Sequence, residues 1–295
     1  MKIADGDFLL PVDKPVGPTS HDIVGMARRV LCTRRVGHTG TLDPFASGLL
    51  VLCVGQATRL AEYVSGMDKR YEAVARLGLE TDSLDHAGEA VAHDDGWRKL
   101  DRRAIEVAAA TQVGRIEQVP PQFSAKKVDG EAMHRRARRG ETVTLAPVSV
   151  TVYEIEVTHV SLPDVHFSVR CSSGTYVRAI ARDLGRTLGC GAHLTELRRT
   201  EVGTLHVDSA LAIEAFADAD AVAAARIEPV QGLAHLTKIS VDEGVAGRLQ
   251  NGQRVRIADP GSTSEPLVAV TCGAELLAMA ELDDGVLRPR KVFPL

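Results

Sequence analysis

The stretch GHTGTLDP, residues 37–44, brackets one carboxylate between two glycines and a proline. Glycine and proline mark loops, and glycine permits close approach of the backbone. The next run, FASGLLVL at residues 45–52, predicts a buried strand. Such a loop holds Asp43 in a fixed pose at the edge of a rigid core, as a carboxylate nucleophile requires. A lone aspartate before proline is more often a plain turn residue, but here His38 and two threonines add hydrogen-bonding groups.

Size and composition indicate an ordinary globular protein. The chain has 295 residues, 44% hydrophobic and 25% charged, which suits one large and one small domain. No apolar run reaches the roughly 18 residues of a membrane span, and the acidic residues within 1–7 exclude a signal peptide. The five cysteines include no C-x-x-C pair, which predicts reduced thiols in a cytoplasmic protein rather than disulfides or a zinc site.

Charge is distributed unevenly along the chain. The net charge is −4, so the protein is not one that coats nucleic acid through overall basicity. Arginine and lysine nevertheless concentrate at residues 24–36, 126–139 and 170–199, whereas acids gather at 80–106 and 208–228. One basic run is usually a solvated helix face, but three beside loops containing glycine and serine indicate a polyanion partner.

Periodicity and turn signals predict an alternation of strands and helices, followed by a different pattern near residue 230. A Thr19–Asp22 capping box begins the first helix. The predicted strands are 8–12, 49–54, 71–78, 148–160, 164–171 and 200–207. The other predicted helices are 56–65, 101–112, a basic helix at 130–139, and 174–188. Residues 80–96 are predicted as a surface loop, 208–228 as a helical connector, and the remainder as a small all-β module.

A predicted strand-to-helix junction at residues 171–178 carries a cation, Arg178, at an unfavourable position for helix stability. Serine and threonine side chains there can cap the helix, and its first amide groups favour an anion. Arg178 falls in the first turn, where a cation opposes the helix dipole, so it is expected to serve a partner. A carboxylate is the natural one, because guanidinium pairs with it bidentately and keeps it ionised.

Two other side chains have open interpretations at this level. Tyr71 is either a strand-edge aromatic or a ring that stacks on a base. His38 is a structural histidine, a base, a metal ligand or an RNA contact. A metal is disfavoured, because the ten histidines show no H-x-x-x-H or H-E-x-x-H spacing.

Ordered motifs over nearly the whole chain resemble those of the bacterial tRNA pseudouridine(55) synthases, the TruB family. The His-Thr-Gly-Thr-Leu-Asp-Pro block is the most specific of them. The matching blocks are DKPxGxTSHD at 13–22, RVGHTGTLDPxAxG at 35–48, GQATR at 55–59, KRY at 69–71, TDxxD at 81–85, VPPxFSA at 119–125, KVDG at 127–130, GTYVR at 174–178 and LRRT at 197–200.

The resemblance implies an α+β pseudouridine synthase fold, with a mixed, curved, antiparallel-rich sheet flanked by helices and a small C-terminal PUA-like β domain. The expected domains are 1–228, with an RNA-binding insertion at about 120–147, and 229–295. The implied activity isomerises the T-loop uridine of tRNA to pseudouridine by base flipping, without a cofactor or metal. The implied partner is the T-arm stem-loop of tRNA; no membrane or obligate protein partner is expected, and the protein is expected to be a monomer.

The resemblance also implies roles for individual residues. Asp43 matches the catalytic aspartate, which attacks the uracil ring or the sugar, or acts on the sugar as a base. Arg178 matches its paired arginine, and Tyr71 the tyrosine that stacks on the flipped base. His38 matches a histidine that holds the RNA loop. The remaining expected substrate-binding residues are Tyr176, Leu197, Arg59, Asp85 and Lys14.

Two positions depart from the family pattern, and two other functions compete with the synthase. Arg59 stands where lysine is common, and His134 where tyrosine is common; both changes bear on RNA contacts. The first competing function is a tRNA-binding or tRNA-folding protein without chemistry. The second is an aspartyl-phosphate phosphotransferase, which fails because it needs a magnesium site and an aspartate before, not after, the Thr-Gly-Thr.

Overall fold

The structure is a computed structural model that describes residues 6–123, 127–128, 131–132, 145–257 and 265–294. Within the predicted basic helix at 130–139, the backbone of Glu131–Ala132 forms a short strand. The other residues of that prediction, His134 included, lie outside the described residues.

Strands are the most abundant regular secondary structure in the described residues. In chain order they are β1 (Phe8–Lys14), β2 (Val36–His38), β3 (Ser47–Val54), β4 (Lys69–Leu77), β5 (Leu79–Thr81), β6 (Ala90–His93), β7 (Gly114–Gln118), β8 (Lys127–Val128), β9 (Glu131–Ala132), β10 (Val148–Ser161), β11 (Asp164–Cys171), β12 (Ala192–Val202), β13 (Leu205–His206), β14 (Leu211–Ala212), β15 (Lys238–Ser240), β16 (Val255–Arg256), β17 (Leu267–Cys272), β18 (Glu275–Asp283) and β19 (Val286–Val292).

Helices are short and lie between the strands. The α-helices are α1 (Ser20–Val30), α2 (Ala61–Ser65), α3 (Arg102–Ala110), α4 (Val177–Thr187), α5 (Ala219–Ala225), α6 (Pro229–Gly232) and α7 (Glu243–Gln250). Short 3₁₀ helices cover Gly55–Leu60, Asp95–Lys99, Val207–Ser209 and Ile213–Ala217.

One ten-stranded mixed sheet organises the first part of the described chain. Its main order is β14-β1-β3-β12-β4-β11-β10-β7, with β2 beside β3 and β13 beside β12. Strands β1 and β14, and strands β3 and β12, are parallel, whereas the other pairs are antiparallel. Strand β12 approaches β3 closely at Gly48, where a Cβ atom would lie 2.2 Å from the Arg199 carbonyl oxygen. This contact requires glycine, which also has a φ of +100°.

One face of this sheet packs against α1 and α4. Helix α1 begins where the sequence predicts, because Thr19 and Asp22 form the capping box. Its buried Ile23 and Val24 pack in a core with Leu50 and Leu52 of β3. The site described below lies at the edge of this core.

On the opposite face, residues of β1 and β3 are covered by other elements. Leu9 and Val51 share a core there with Met279 of a second, five-stranded sheet of order β15-β17-β18-β19-β16, and with Phe293, which directly follows β19. The second sheet and its α7 form a further core of their own. The α+β prediction with a separate C-terminal β sheet is therefore confirmed, although this part also contains helices and is not all β.

The prediction of a surface loop at 80–96 is wrong in part, because β6 is exposed along its length but the segment is not a loop. Strands β5 and β6 form a hairpin there, and Thr81 and Asp85 are buried. Its acidic composition resembles a solvated loop, but hydrogen bonds and an ion pair satisfy the buried groups. At Gly78, where β4 leads into the hairpin, a Cβ atom would lie 2.4 Å from the indole ring of Trp97.

Three other boundaries differ from the prediction. Strand β12 begins at Ala192, eight residues before the predicted start at 200. The predicted helix at 56–65 is a 3₁₀ helix followed by one α-helical turn. Helix α4 begins at Val177 rather than 174, because Gly174 has a φ of +82° and residues 172–175 form a turn.

Candidate active site

The loop of residues 39–46 is fastened to the core at both ends. The Thr39 backbone amide donates to the Val51 carbonyl at 3.0 Å. Ser20 Oγ exchanges hydrogen bonds with the amide and carbonyl of Leu42, at 2.8 and 3.1 Å. The Lys14 ammonium donates to the Ala46 carbonyl at 2.6 Å. Asp43 therefore projects from a rigid loop.

Arg178 of α4 holds two carboxylates. Its Nη2 lies 3.0 Å from Asp43 Oδ2, and its Nη1 lies 3.3 Å from Asp85 Oδ2. The guanidinium also donates to the carbonyls of Ser83 and Phe123, at 2.8 and 2.7 Å. Its side chain is 5% exposed, whereas that of Asp43 is 34% exposed. The arginine predicted to pair with a carboxylate is thus buried, and Asp43 is the partner that a ligand can reach.

The environment of Asp43 acts on its charge in opposite directions. Burial raises the pKa of the carboxyl group, and the nearby Asp85 charge raises it further. The charges of Arg178 and Lys14 lower it. The carboxylate therefore depends on its two cationic neighbours to stay ionised in this cavity.

A cavity of about 280 Å³ opens in front of Asp43. Tyr71, Tyr176 and Arg178 line it, together with Lys69 and Arg199. A smaller adjoining cavity of about 70 Å³ reaches Leu197. A larger cavity of about 650 Å³ lies on the opposite face of the sheet, against Glu72, His166 and Arg198; it contains neither Asp43 nor Arg178.

Tyr71 faces the cavity from β4, directly opposite Arg199 of β12. Tyr71 is 8% exposed; burial raises the pKa of its hydroxyl, whereas the charge of the nearby Arg199 lowers it. Arg199 is itself 2% exposed and donates to the carbonyls of Leu49 and Gly40, at 2.7 and 3.1 Å. One buried guanidinium thus connects the Tyr71 ring, the strand β3 and the Asp43 loop.

His38 lies beside the cavity at the end of β2. Its Nδ1 accepts a hydrogen bond from the Gly40 amide at 3.3 Å, and the His21 ring lies edge-on at 6.2 Å. Burial lowers the pKa of His38, and the His21 and Arg199 charges lower it further. The imidazole is therefore favoured in its neutral form.

Besides His38, three residues predicted to bind substrate line neither cavity in front of Asp43. Lys14 is 0% exposed beneath the loop, where burial lowers its pKa to about 8. Asp85 is buried behind Arg178. Arg59 lies against the second sheet, where it donates to the Val292 carbonyl at 2.6 Å and stacks over the Phe293 ring at 4.9 Å. Lys14 and Asp85 are placed to hold the loop and the guanidinium, and Arg59 to join the two sheets.

Three residues of the site were missed in the sequence. Arg199 was quoted only within the LRRT block. Lys69 lines the cavity, donates to the carbonyls of Ser65 and Met67, and has its pKa lowered to about 8 by burial. Gln118 contacts the backbone of Tyr176. Their partners are mostly backbone groups, which no residue type in the partner segment reveals. The sequence shows only that each of the three is a polar residue within, or directly before, one of the motif blocks.

The expected absence of a metal site remains a prediction. Within the ranges that the structure describes, no group of three or more histidine, cysteine, aspartate and glutamate side chains is placed to hold a metal ion. In the same ranges, no helix is long and apolar enough to cross a membrane.

Comparisons with known proteins match this fold and site along the chain. The N-terminal domain model of the TruB family pseudouridylate synthases matches residues 28–177. The tRNA pseudouridylate synthase B C-terminal domain matches 178–236, and the C-terminal model of pseudouridine synthase II TruB matches 237–293.

Individual relatives match over nearly their full length. A Burkholderia lata protein named tRNA pseudouridine synthase B is 43% identical, over 99% of this chain and 91% of the relative. Its namesake from Burkholderia mallei is 41% identical, over 97% and 96%. A chain of an H/ACA ribonucleoprotein, solved with a substrate RNA containing 2′-deoxyuridine, shares the fold with a TM-score of 0.75 at 23% identity, over 98% and 85%. With its carboxylate–arginine pair and its family matches, the chain belongs to the TruB family of pseudouridylate synthases.

Proposed function

We propose that this protein isomerises the T-loop uridine of tRNA, at position 55, to pseudouridine. The observation that carries the proposal is the accessible Asp43 carboxylate, 3.0 Å from the buried Arg178 guanidinium in a cavity of about 280 Å³. Tyr71 and Tyr176 line the same cavity, so a flipped base would meet aromatic rings as well as the carboxylate.

In the proposed reaction, Asp43 acts at the target uridine while its N-glycosidic bond breaks. The uracil turns in the cavity, and a new bond joins C5 of the base to C1′ of the ribose. The proton leaves C5, and N1 carries a proton in the product, so substrate and product are isomers and no cofactor is consumed. Arg178 keeps Asp43 ionised and fixed, and the ring of Tyr71 stacks on the base.

RNA loop contacts complete the proposal. His38, whose neutral form is favoured and which directly precedes the cavity-lining Thr39, would contact the RNA loop once the target base has left it. Unstacking the base costs a few kcal/mol, which stacking in the cavity and loop contacts offset. We further propose that residues 1–228 form the catalytic domain, with its RNA-binding insertion at about 120–147. Residues 229–295 then form a PUA-like RNA-binding domain. The protein acts in the cytoplasm as a monomer, on the T-arm of tRNA and without an obligate protein partner.

The test compares two aspartates whose side chains are equally exposed. Asp43 and Asp13 are each 34% exposed, and each is ion-paired with an arginine. Wild-type, D43N and D13N proteins are incubated with an unmodified tRNA transcript, and pseudouridine is mapped with carbodiimide. We expect product at the T-loop uridine with the wild type and D13N, and none with D43N.

Binding is measured in parallel to separate chemistry from recognition. We expect the tRNA affinity of D43N to stay within about threefold of the wild-type value, because only the reacting group is changed. Wild-type protein that binds tRNA without forming pseudouridine would favour the tRNA-folding alternative. An active D43N variant would remove Asp43 from the mechanism.

A further inference from the structure

Gln118 forms a two-point contact with the backbone of one cavity residue. It is the last residue of β7 and is 0% exposed. Its side-chain Oε1 accepts from the Tyr176 amide at 2.8 Å, and its Nε2 donates to the Tyr176 carbonyl at 3.1 Å. Both polar atoms of a buried carboxamide are thus satisfied by a single residue.

Tyr176 is the point where the cavity and helix α4 meet. It is the N-cap residue of α4, and its own side chain makes no capping hydrogen bond. Its carbonyl begins the helix, accepting from the amides of Ala179 and Ile180 at 3.0 and 3.2 Å. Gln118 Oε1 therefore satisfies the amide of the N-cap residue, a bond that the N3 glutamate or glutamine of a capping box would make locally.

The contact between Gln118 and Tyr176 affects the position of two groups of the site, the Tyr176 ring and the Arg178 guanidinium. The Tyr176 ring lines both cavities in front of Asp43, and Arg178 follows two residues later in the first helical turn. The segment after Gln118 is tied to the same helix, because Arg182 donates to the Val119 carbonyl at 3.1 Å and Arg178 to the Phe123 carbonyl at 2.7 Å. The start of α4 is thus located by β7 and the residues that follow it.

We propose that Gln118 is a positioning residue for the reaction: by holding the amide and carbonyl of Tyr176, it sets the place of the Tyr176 ring and of the Arg178 guanidinium relative to Asp43. The proposal rests on the proposed function. Gln118 does not line the cavity, so it acts through Tyr176 and Arg178 and not on the substrate.

The chain contains a matched control. Gln112 is also buried, at 6% exposure, and its Nε2 donates at 3.2 Å to the Ile180 carbonyl, within α4 but beyond its first two residues. Q118L and Q112L remove the carboxamide at similar side-chain volume. If α4 is merely anchored by buried amides, the two variants lose activity alike.

We expect different outcomes from the two variants. In single-turnover assays below the unfolding temperature, Q118L should lose about 100-fold in rate constant, since displacement of about 1 Å near reacting groups has that effect. Q112L should stay within about threefold of wild type, and both variants should bind tRNA within about threefold of wild type. A Q118L rate constant within about threefold of Q112L overturns the proposal.

A second variant tests the hydrogen-bond polarity of Gln118. The ionised carboxylate of Q118E accepts from the Tyr176 amide but repels its carbonyl, whereas the protonated acid donates to that carbonyl as the amide does. We expect the rate of Q118E relative to wild type to rise at least about tenfold from pH 8.5 to pH 6, as a carboxyl with a pKa raised by burial gains its proton.

The rate constant of Q118L relative to wild type is the reference for the pH dependence of Q118E. We expect this Q118L ratio to be independent of pH between pH 6 and pH 8.5. A flat ratio for a folded Q118E overturns the proposal. Wild-type protein that forms no pseudouridine overturns the proposed function itself, and this proposal with it; an active wild type whose Q118L and Q112L variants are alike overturns this proposal alone.

Discussion

Arg198 and Arg199 are neighbours on β12, yet they leave the sheet on opposite faces and have different partners. Arg198 is 39% exposed and forms a bidentate ion pair with Asp13, at 3.0 and 2.8 Å. Arg199 is 2% exposed and donates to two backbone carbonyls, and its charge lowers the pKa of the Tyr71 hydroxyl. Arg198 therefore belongs to a solvent-exposed ion pair, whereas Arg199 links strand β3 to the Asp43 loop beside the cavity.

The same division continues across the sheet. Strand register pairs Tyr71 with Arg199 on the face of the sheet that carries the Asp43 cavity, the cavity face. It pairs Glu72 with Arg198 on the other face, the rear face. Farther along the rear face, Arg76 pairs with Asp164 at 2.8 Å in partly exposed positions. Exposed ion pairs contribute little to stability, but a buried charge that loses its partner is costly. Identical residue types should therefore respond very differently to substitution on the two faces.

The largest effect is expected from Arg178→Met, with Arg76→Met as its counterpart on the rear face. R178M removes the guanidinium that contacts both Asp43 and Asp85, so we expect a loss of about 3–5 kcal/mol in the free energy of unfolding and of at least about 10³-fold in rate. R76M should change stability by less than about 1 kcal/mol. Urea unfolding measures the stability of the two variants, and single-turnover assays measure their rate constants. Equal effects of R178M and R76M would contradict the predicted difference between the two faces.

The adjacent arginines give a smaller and sharper contrast. In R199K, an ammonium cannot reproduce the fork that reaches both Leu49 and Gly40, so a buried carbonyl loses its donor and stability falls by about 1–3 kcal/mol. R198K should stay within about 0.5 kcal/mol of wild type. Denaturant midpoints at constant m-value provide the comparison. An R198K midpoint that shifts as far as that of R199K contradicts it.

Asp43→Asn should stabilise the protein at neutral pH while it removes activity. Burial raises the Asp43 pKa above its unfolded value of 3.8, so the folded state binds the proton more tightly. Stability therefore falls as the pH rises through that window, and the cost of the ionised form is fully present above the folded pKa.

The neutral amide avoids this cost, so we expect the Tm of D43N to exceed that of wild type by at least about 2 °C at pH 7.5. The difference should shrink as the pH approaches 4, where Asp43 itself becomes protonated. Thermal unfolding across this pH range measures it. A D43N variant that is less stable than wild type at pH 7.5 would mean that the ion pair outweighs the burial.

The smallest effect is expected where the second sheet covers the rear face. Arg59→Met removes the bond to the Val292 carbonyl and the stacking on Phe293, which we expect to cost about 0.5–1 kcal/mol. Thermal unfolding and tRNA binding are measured together. A more than tenfold weaker tRNA affinity at unchanged Tm would instead make Arg59 the RNA contact that the family resemblance implies.

Local chemistry made part of this molecule predictable from its sequence. The Thr19–Asp22 cap lies within four residues, and the first-turn cation at Arg178 already required a carboxylate partner. The hairpin carrying Asp85 was mistaken for a solvated loop, because its acid is satisfied by Ser83 and by Arg178, 93 residues away. A composition-based prediction cannot see a partner so distant in the chain.

The roles of Arg199 and Gln118 were hidden for a related reason. Arg199 binds the carbonyl of Leu49, 150 residues away, and Gln118 binds the backbone of Tyr176, 58 residues away. Backbone partners carry no side-chain identity, so no residue type in the partner segment indicates the contact. Such contacts follow only from sheet order and register, which the sequence pattern left undetermined here.

The contact of Trp97 with Gly78 has a practical consequence. Trp97 is the chain's only tryptophan, so its fluorescence reports on one place, the base of the β5–β6 hairpin. The same hairpin carries Asp85, which is ion-paired with Arg178. An intrinsic fluorophore therefore reports on the hairpin that supports the Arg178 guanidinium, and emission spectra of the unlabelled protein can record when that hairpin loosens.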